Sequence, residues 1–213
     1  MAFVLCGALS GCATVDRVWD MPGGEPYQPD NYTAVEAIPA DVRRVGLLPL
    51  HSEEWSGAEI AMLDSTFNAE LGKFDRFEVL PISSGALAER FGRRSFLSSS
   101  ALPSNFLERL RAGFDVDAVL FVDVTHYSPY QPISIGVRAK LVAVRSGEVL
   151  WAFDSIFDSA QPDVALAARQ YQQDLSRPAY PLQNTAGNLQ SPARFVKYVA
   201  HAMFETLPPR ESP

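Results

Sequence analysis

The chain has 213 residues, of which 47% are hydrophobic and 20% are charged, and its formal net charge at pH 7 is −7. This composition is typical of a globular protein, and the length suits one domain with a sizeable core. A nucleic-acid binder needs a basic face that neutralises phosphates, whereas the local basic clusters Arg43-Arg44 and Arg93-Arg94 extend into no stripe. The composition therefore argues against nucleic acid as a partner.

The cysteines and histidines restrict the possible site chemistry. Cys6 and Cys12 both lie in the opening stretch, so the rest of the chain has no disulfide, thiolate metal site or cysteine nucleophile. His51, His126 and His201 are far apart and match no zinc-site spacing. We therefore predict neither a bound metal nor a cofactor.

The first fifteen residues are uncharged and mostly apolar. They are fewer than the roughly 20 residues that a membrane-spanning helix needs, and an apolar run followed by small residues is typical of a signal peptide. The alternative is a buried amino-terminal strand. No Lys or Arg precedes Arg17, although signal peptides begin with positive charge. This absence leads to the hypothesis that the true start lies upstream of Met1.

The tetrapeptide Leu9-Ser10-Gly11-Cys12 resembles the bacterial lipobox, in which an aliphatic and two small residues precede a cysteine. The resemblance implies that signal peptidase II recognises Leu9, Ser10 and Gly11, removes residues 1–11 and leaves Cys12 as the first residue with three acyl chains. Several acyl chains anchor a protein stably, whereas one does so marginally. Residue 13 is Ala13 rather than the aspartate that retains enteric-type lipoproteins in the inner membrane. The expected location is the periplasmic face of the outer membrane.

Residues 12–41 are predicted to form a flexible tether. The stretch Met21–Val42 is rich in proline, has two adjacent glycines and lacks hydrophobic periodicity. A flexible chain of about 30 residues spans roughly 30 Å.

The folded domain is predicted to occupy residues 42–207, with residues 208–213 as a tail. Its first strand is the apolar run Arg44–Leu50. A helix follows, capped by Ser56 and closed by Gly72, with its inward residues at helical spacing: Ile60, Leu63, Phe67 and Leu71.

Phe77–Leu80 is predicted to be a second strand that ends at Pro81. Ser83 or Ser84 caps the next helix, which carries Leu87 and Phe91. After a polar loop, residues 92–105, comes a further helix with Pro103 in its first turn and an inward face of three residues: Phe106, Leu107 and Leu110.

The strongest strand signal is Asp117–Tyr127, which is dense in β-branched and aromatic residues. Ile135–Val144 and Val149–Phe157 alternate between apolar and polar residues, and the turn between them contains Gly147, so they form a hairpin. A helix is predicted at Pro162–Leu175. A final helix follows with Pro192 at its first position and Ser191 as its cap. The fold class is therefore α/β (α+β), with a single mixed sheet of about five strands and helices packed on it.

Four segments in this order resemble the periplasmic α/β domain of the curli-channel (CsgG-like) family, which activator lipoproteins of penicillin-binding proteins and the amino-terminal domain of TolB share. They are VGLLPL, LGKFDRFEVLP, FDVDAVLFVDVT and KLVAVRSGEVLWAFD, and they cover residues 42–159. The resemblance concerns the fold and implies no single function. In that family, activator lipoproteins dock on a partner enzyme, whereas channel formers assemble with copies of themselves.

The chain lacks a Gly-rich phosphate loop and the GxSxG and HExxH motifs. The loop His51–Trp55 holds an acid, a base and an aromatic ring after the first strand, although a solvated turn before a helix is the simpler explanation. Ser95, Ser98, Ser99 and Ser100 form a cluster with no histidine nearby in sequence. Asp117 and Asp123 are about 20 Å apart along a strand, so they share no ion, and Asp117 is expected to cap or pair at the strand start. Loop aromatics are candidate partner contacts: Phe96, Tyr127 and Tyr130.

Three functions remain open. The first is a non-catalytic binding module, a lipoprotein held in the membrane by acyl chains on Cys12 that docks on a periplasmic or envelope protein complex. The second is a self-assembling structural or channel-type subunit, a homo-oligomer, which would fail if both faces of the hairpin Ile135–Phe157 were covered within one domain. The third is an envelope hydrolase in which His51 meets a nucleophile such as Ser128.

Overall fold

The computed structural model describes residues 24–175 and 191–211. The lipobox residues, Cys12 among them, lie outside this range and stay a prediction. Six strands and five helices are described in chain order: β1 (Tyr32–Ala34), β2 (Arg44–Leu47), α1 (Ala58–Leu71), β3 (Glu78–Pro81), α2 (Ser84–Phe91), α3 (Phe106–Phe114), β4 (Ala118–Ser128), β5 (Ser134–Ala143), β6 (Val149–Asp158), α4 (Pro162–Leu175) and α5 (Pro192–Glu205). None of the described helices is both long and apolar enough to cross a membrane.

The strands form one mixed sheet in the order β1-β6-β5-β4-β2-β3. β2 lies parallel to both β3 and β4, and the neighbours β4-β5-β6-β1 are antiparallel. The predicted fold class is thus confirmed, with one strand more than the predicted five. The additional strand is β1, which lies in the segment predicted to be a tether.

Local sequence signals set most element ends. Ser83 caps α2, because its side chain accepts a hydrogen bond from the backbone N–H of Ala86. Gly147 has a φ of 74° in the hairpin turn, which glycine adopts without a steric penalty. The predicted cap Ser56 is wrong: the N-cap of α1 is Gly57, and no side chain caps that helix.

The main core lies between one face of the sheet and the helices α1, α4 and α5. Trp151 of β6 is fully buried in it, and its indole Nε1 donates a hydrogen bond to Thr206 Oγ1 at 3.0 Å. This bond satisfies a buried donor and ties β6 to the end of α5.

The other face of the sheet is only half covered. α2 and α3 pack on β3, β2 and β4 and bury Leu87, Phe106 and Phe121 there. This cluster still includes Val142 at the turn end of β5, but over the rest of β5 and over β6 no described helix packs on this side. We call this uncovered half the open face, and define it by five residues: Arg138, Lys140, Ala152, Asp154 and Ile156.

Residues 27–40, which we call the strap, belong to the domain. β1 pairs with β6 and places Thr33 opposite Ala152. Ile38 is fully buried, its N–H donates to Pro209 O at 2.8 Å, and its carbonyl accepts from Glu211 N–H at 2.9 Å. The prediction that residues 12–41 form a flexible tether is therefore wrong for residues 27–40, and residues 209–211 pack against the strap instead of forming a tail. The reason is that strap and carboxyl terminus satisfy each other's backbone groups, a pairing that no local pattern reveals.

Candidate functional site

A polar cleft of about 250 Å³ opens just past the end of β2, beside the middle of the parallel strand β4. Its charged and titratable lining residues are His51, Glu53, Glu54, Asp123 and Arg138. His51 follows β2 and forms an isolated bridge with Asp123 of β4, which brings the predicted His51–Trp55 loop to the edge of the open face. Loops at the carboxyl ends of parallel strands are common places for binding sites.

Asp123 is the buried charge of the cleft, with about 1% of its surface exposed. Both of its carboxylate oxygens accept a hydrogen bond from Ser98 N–H at 3.1 Å, and the Ser98 hydroxyl donates to Oδ2. Burial raises the pKa of the Asp123 carboxyl, while the Ser98 hydrogen bonds and the charges of His51 and Arg138 act in the opposite direction. Asp123 thus holds the loop after α2 against the sheet.

Replacing Asp123 with asparagine removes this titrating carboxyl, so the free energy of unfolding of the variant should depend on pH differently from that of the wild type. Above pH 3.8, the ordinary value, the unfolded carboxyl loses its proton before the folded carboxyl does. We therefore expect the wild type to lose stability relative to the Asp123→Asn variant as pH rises from 3.8 to the raised pKa of the folded carboxyl. In other words, the unfolding free energy of the wild type minus that of the variant should fall over this range. Urea unfolding between about pH 3 and pH 8 measures this difference. A difference that is flat or rises with pH would contradict the assignment.

Two basic residues of β5 extend the polar contacts around Asp123. Arg138 lies opposite Asp123 on one side and Asp154 on the other, and its Nε donates to Asp154 Oδ2 at 2.7 Å. Lys140 Nζ donates to the carbonyl of Ser98 at 2.9 Å. The two cations thus bond to residues of the domain itself.

The geometry does not assemble the predicted hydrolase. The ring Nδ1 of His51 lies 3.0 Å from Ser95 Oγ, whereas Ser128 makes no hydrogen bond to His51 among the described residues. A triad needs a carboxylate on the second ring nitrogen, and no carboxylate of the described chain hydrogen-bonds to His51. Sequence reasoning missed the pairing of Ser95 with His51 because the two residues are 44 positions apart.

The predicted partner contacts separate into two groups. Phe96 and Tyr127 are only 3% and 5% exposed, so they are core residues, and their prediction as contacts is wrong. Phe96 packs on Phe106, and Tyr127 packs edge-on against Trp55. Tyr130 is 79% exposed in the loop between β4 and β5, and its role stays a prediction.

The prediction for Asp117 is confirmed: its Oδ2 accepts hydrogen bonds from the N–H groups of Arg43 and Arg44, both at 3.0 Å. Near the opposite end of β4, His126 Nε2 lies 2.9 Å from Ser134 Oγ of β5. Within the described ranges, no group of three or more His, Asp or Glu side chains could hold a metal ion.

No family model matches the chain, and no curated protein does. Solved structures with a similar course of the chain include lipoprotein GNA1162 from Neisseria meningitidis, with 20% identity, a TM-score of 0.43 and coverage of 66% of this chain and 99% of that chain. The PelC dodecamer from Paraburkholderia phytofirmans has 13% identity, a TM-score of 0.41 and coverage of 80% and 95%. The carboxyl-terminal domain of LpoB from Escherichia coli has 16% identity, a TM-score of 0.39 and coverage of 58% and 85%.

At such low identities and TM-scores, these similarities carry no functional information about this chain. None of the three is a curli-channel protein, so the resemblance to that family stays a prediction.

Proposed function

We propose that the protein is a non-catalytic, lipid-anchored module that docks on an envelope protein through the open face of its sheet. The observation that carries the proposal is the uncovered half of the sheet. A sheet face normally packs against a second layer, and here the second layer reaches no further than the turn end of β5.

The open face has the composition of a small contact surface. Ile156 is 60% exposed at one end, and the ion pair between Arg138 and Asp154 lies beside it on the neighbouring row of side chains. Protein contacts combine an apolar centre with a polar rim, and Ile156 beside this ion pair offers both on a small scale. The partner therefore supplies an apolar group for Ile156 and hydrogen bonds for the rim.

A non-catalytic role fits the polar cleft. Its buried carboxylate accepts hydrogen bonds from Ser98, and the neighbouring Lys140 donates to the Ser98 carbonyl. Each of these bonds stabilises the position of the loop that contains Ser98 and of the edge of the open face. The cleft thus acts as support for a surface rather than as a reactive site.

The anchor follows from the lipobox. Acylation at Cys12 would hold the domain at a membrane, and Ala13 favours the outer membrane. The signal-peptidase contacts are then Leu9, Ser10 and Gly11.

The docking role is tested by replacing Ile156 with aspartate and comparing the result with Val149→Asp. Val149 is 44% exposed on the same strand but next to the hairpin turn, at the opposite end of β6. Chemical cross-linking in native envelopes is expected to give one adduct of defined mass, whose yield falls about fivefold or more with Ile156→Asp and stays unchanged with Val149→Asp. Equal yields from both variants, at equal unfolding free energy, would refute docking through the open face.

A self-assembling subunit is the second candidate, because the open face leaves one side of the hairpin uncovered. Arg138, Lys140 and Asp154 on that side suit a second protein surface better than lipid tails. Sedimentation velocity on the purified protein distinguishes the two candidates. A mass that is a multiple of the chain mass and reverts to the monomer with Ile156→Asp would favour self-assembly.

A further inference from the structure

The strap determines where the tether leaves the domain. Tyr27 N–H donates to Asp163 O at 3.2 Å, and the Tyr27 hydroxyl lies 2.7 Å from Ser155 Oγ. The Tyr27 ring packs edge-on against Phe157 with centroids 5.4 Å apart. The described chain therefore begins beside the end of β6 and the start of α4.

The same end of the sheet carries the exposed loop between β4 and β5. Ser134 pairs with Ser128 on one side and with Asp158 on the other, so β4 and β6 end together where β5 begins. Tyr130 lies in this loop, and Ile156 lies two residues before the end of β6. We call this end of the domain, with Tyr27, Tyr130 and Ile156, the anchor end.

The remaining tether is short. From Cys12 to Gly24 there are 24 − 12 = 12 residue steps, which reach at most about 40 Å even when fully extended. A tether that ran to residue 41 would reach at most about 100 Å. The strap thus removes more than half of the reach, and with Cys12 anchored in the lipid, Gly24 stays within about 40 Å of it.

The charge of the anchor end disfavours the lipid surface itself as the partner. Glu25 and Asp30 flank Tyr27, and Glu53 and Glu54 follow β2 at the same end; all four are exposed. These carboxylates repel anionic lipid headgroups and attract lysine and arginine side chains. The partner class that fits is a membrane-embedded protein with basic residues at its periplasmic surface.

The geometry points to the anchor end, where the open face ends at Ile156, as the docking surface, with the domain held close to the membrane against such a basic, membrane-embedded protein. This inference rests on the proposed lipid anchoring and adds to it the orientation of the domain and the chemistry of its partner.

A photoreactive phenylalanine analogue at position 130 tests the inference in cells that produce the full chain. The control carries the same group at Ser146, an exposed residue of the hairpin turn at the opposite end of the domain. We expect illumination to give an adduct with an integral membrane protein from position 130, at about five times or more the yield from position 146. The double change Glu53→Lys and Glu54→Lys should reduce that yield several-fold, whereas Glu148→Lys at the far turn should not.

Four results would overturn the inference: equal yields from both positions, adducts with lipid alone, adducts with a second copy of the chain, or yields that the charge reversal leaves unchanged. Intact mass of the same protein distinguishes a failure of this inference from a failure of the proposed lipid anchoring. Acylated protein without a position-dependent adduct refutes only the inference, whereas protein without acyl mass refutes the anchoring on which it rests.

Discussion

Alanine at position 38 is expected to lower the free energy of unfolding by about 2–5 kcal/mol. Ile38 is fully buried in the main core although it lies in a proline-rich stretch without hydrophobic periodicity. Its removal leaves a cavity beneath the strap and weakens the contact of the strap with residues 209–211. Urea unfolding of the purified domain, residues 24–213, and of its variant measures the difference.

Glu36→Ala is the matched control, because Glu36 is exposed two residues earlier in the same strap. We expect this change to alter the free energy of unfolding by less than about 0.5 kcal/mol. If Ile38→Ala had an equally small effect, the strap would be part of a tether after all, and the short reach of the anchor would no longer follow.

Alanine at position 12 is expected to release the protein from the membrane fraction. Each methylene of a buried acyl chain contributes about 0.8 kcal/mol, so three chains anchor a protein stably and their loss is close to all or none. Fractionation of cells that produce the wild type and Cys12→Ala, with the native upstream region present, measures the distribution. Cys6→Ala is the matched control, because Cys6 precedes the predicted cleavage point and would be removed with the signal peptide.

Periodicity predicted the elements that carry most of the core. Pro162–Leu175 is a helix with the predicted ends, because its amino end begins with proline and it has a clear apolar stripe. The hairpin of β5 and β6 also matches its prediction, since alternation fixes which residues point inward and Gly147 fixes the turn. Each of these signals is local, so a single sequence contains it.

The strap was not predictable from local pattern. β1 has three residues, all exposed, and it becomes a strand only because β6, more than 100 positions later, offers a free edge. Ile38 lies between Ala37 and Pro39 in a stretch without hydrophobic periodicity, and its burial depends on the carboxyl-terminal segment. Long-range pairing of this kind leaves no periodicity in the sequence.

The polar cleft was only partly predictable from the sequence, because some of its contacts are also long-range. The His51–Trp55 loop was recognised because it follows a buried strand. The serines that complete the cleft were not, because Ser95 and Ser98 reach His51 and Asp123 only through the fold. Phe96 and Tyr127 were misassigned because their segments were predicted as loop or strand end, where an aromatic ring can point either way. In the fold both turn inward.

Intact mass spectrometry of the protein, expressed with its native upstream region in a bacterial host, determines whether Cys12 is acylated. We predict a mature chain that begins at Cys12 and carries the mass of acyl chains, which the Cys12→Ala variant lacks. A chain that retains Met1 and carries no added mass would contradict the anchor, the location and the orientation of the domain together.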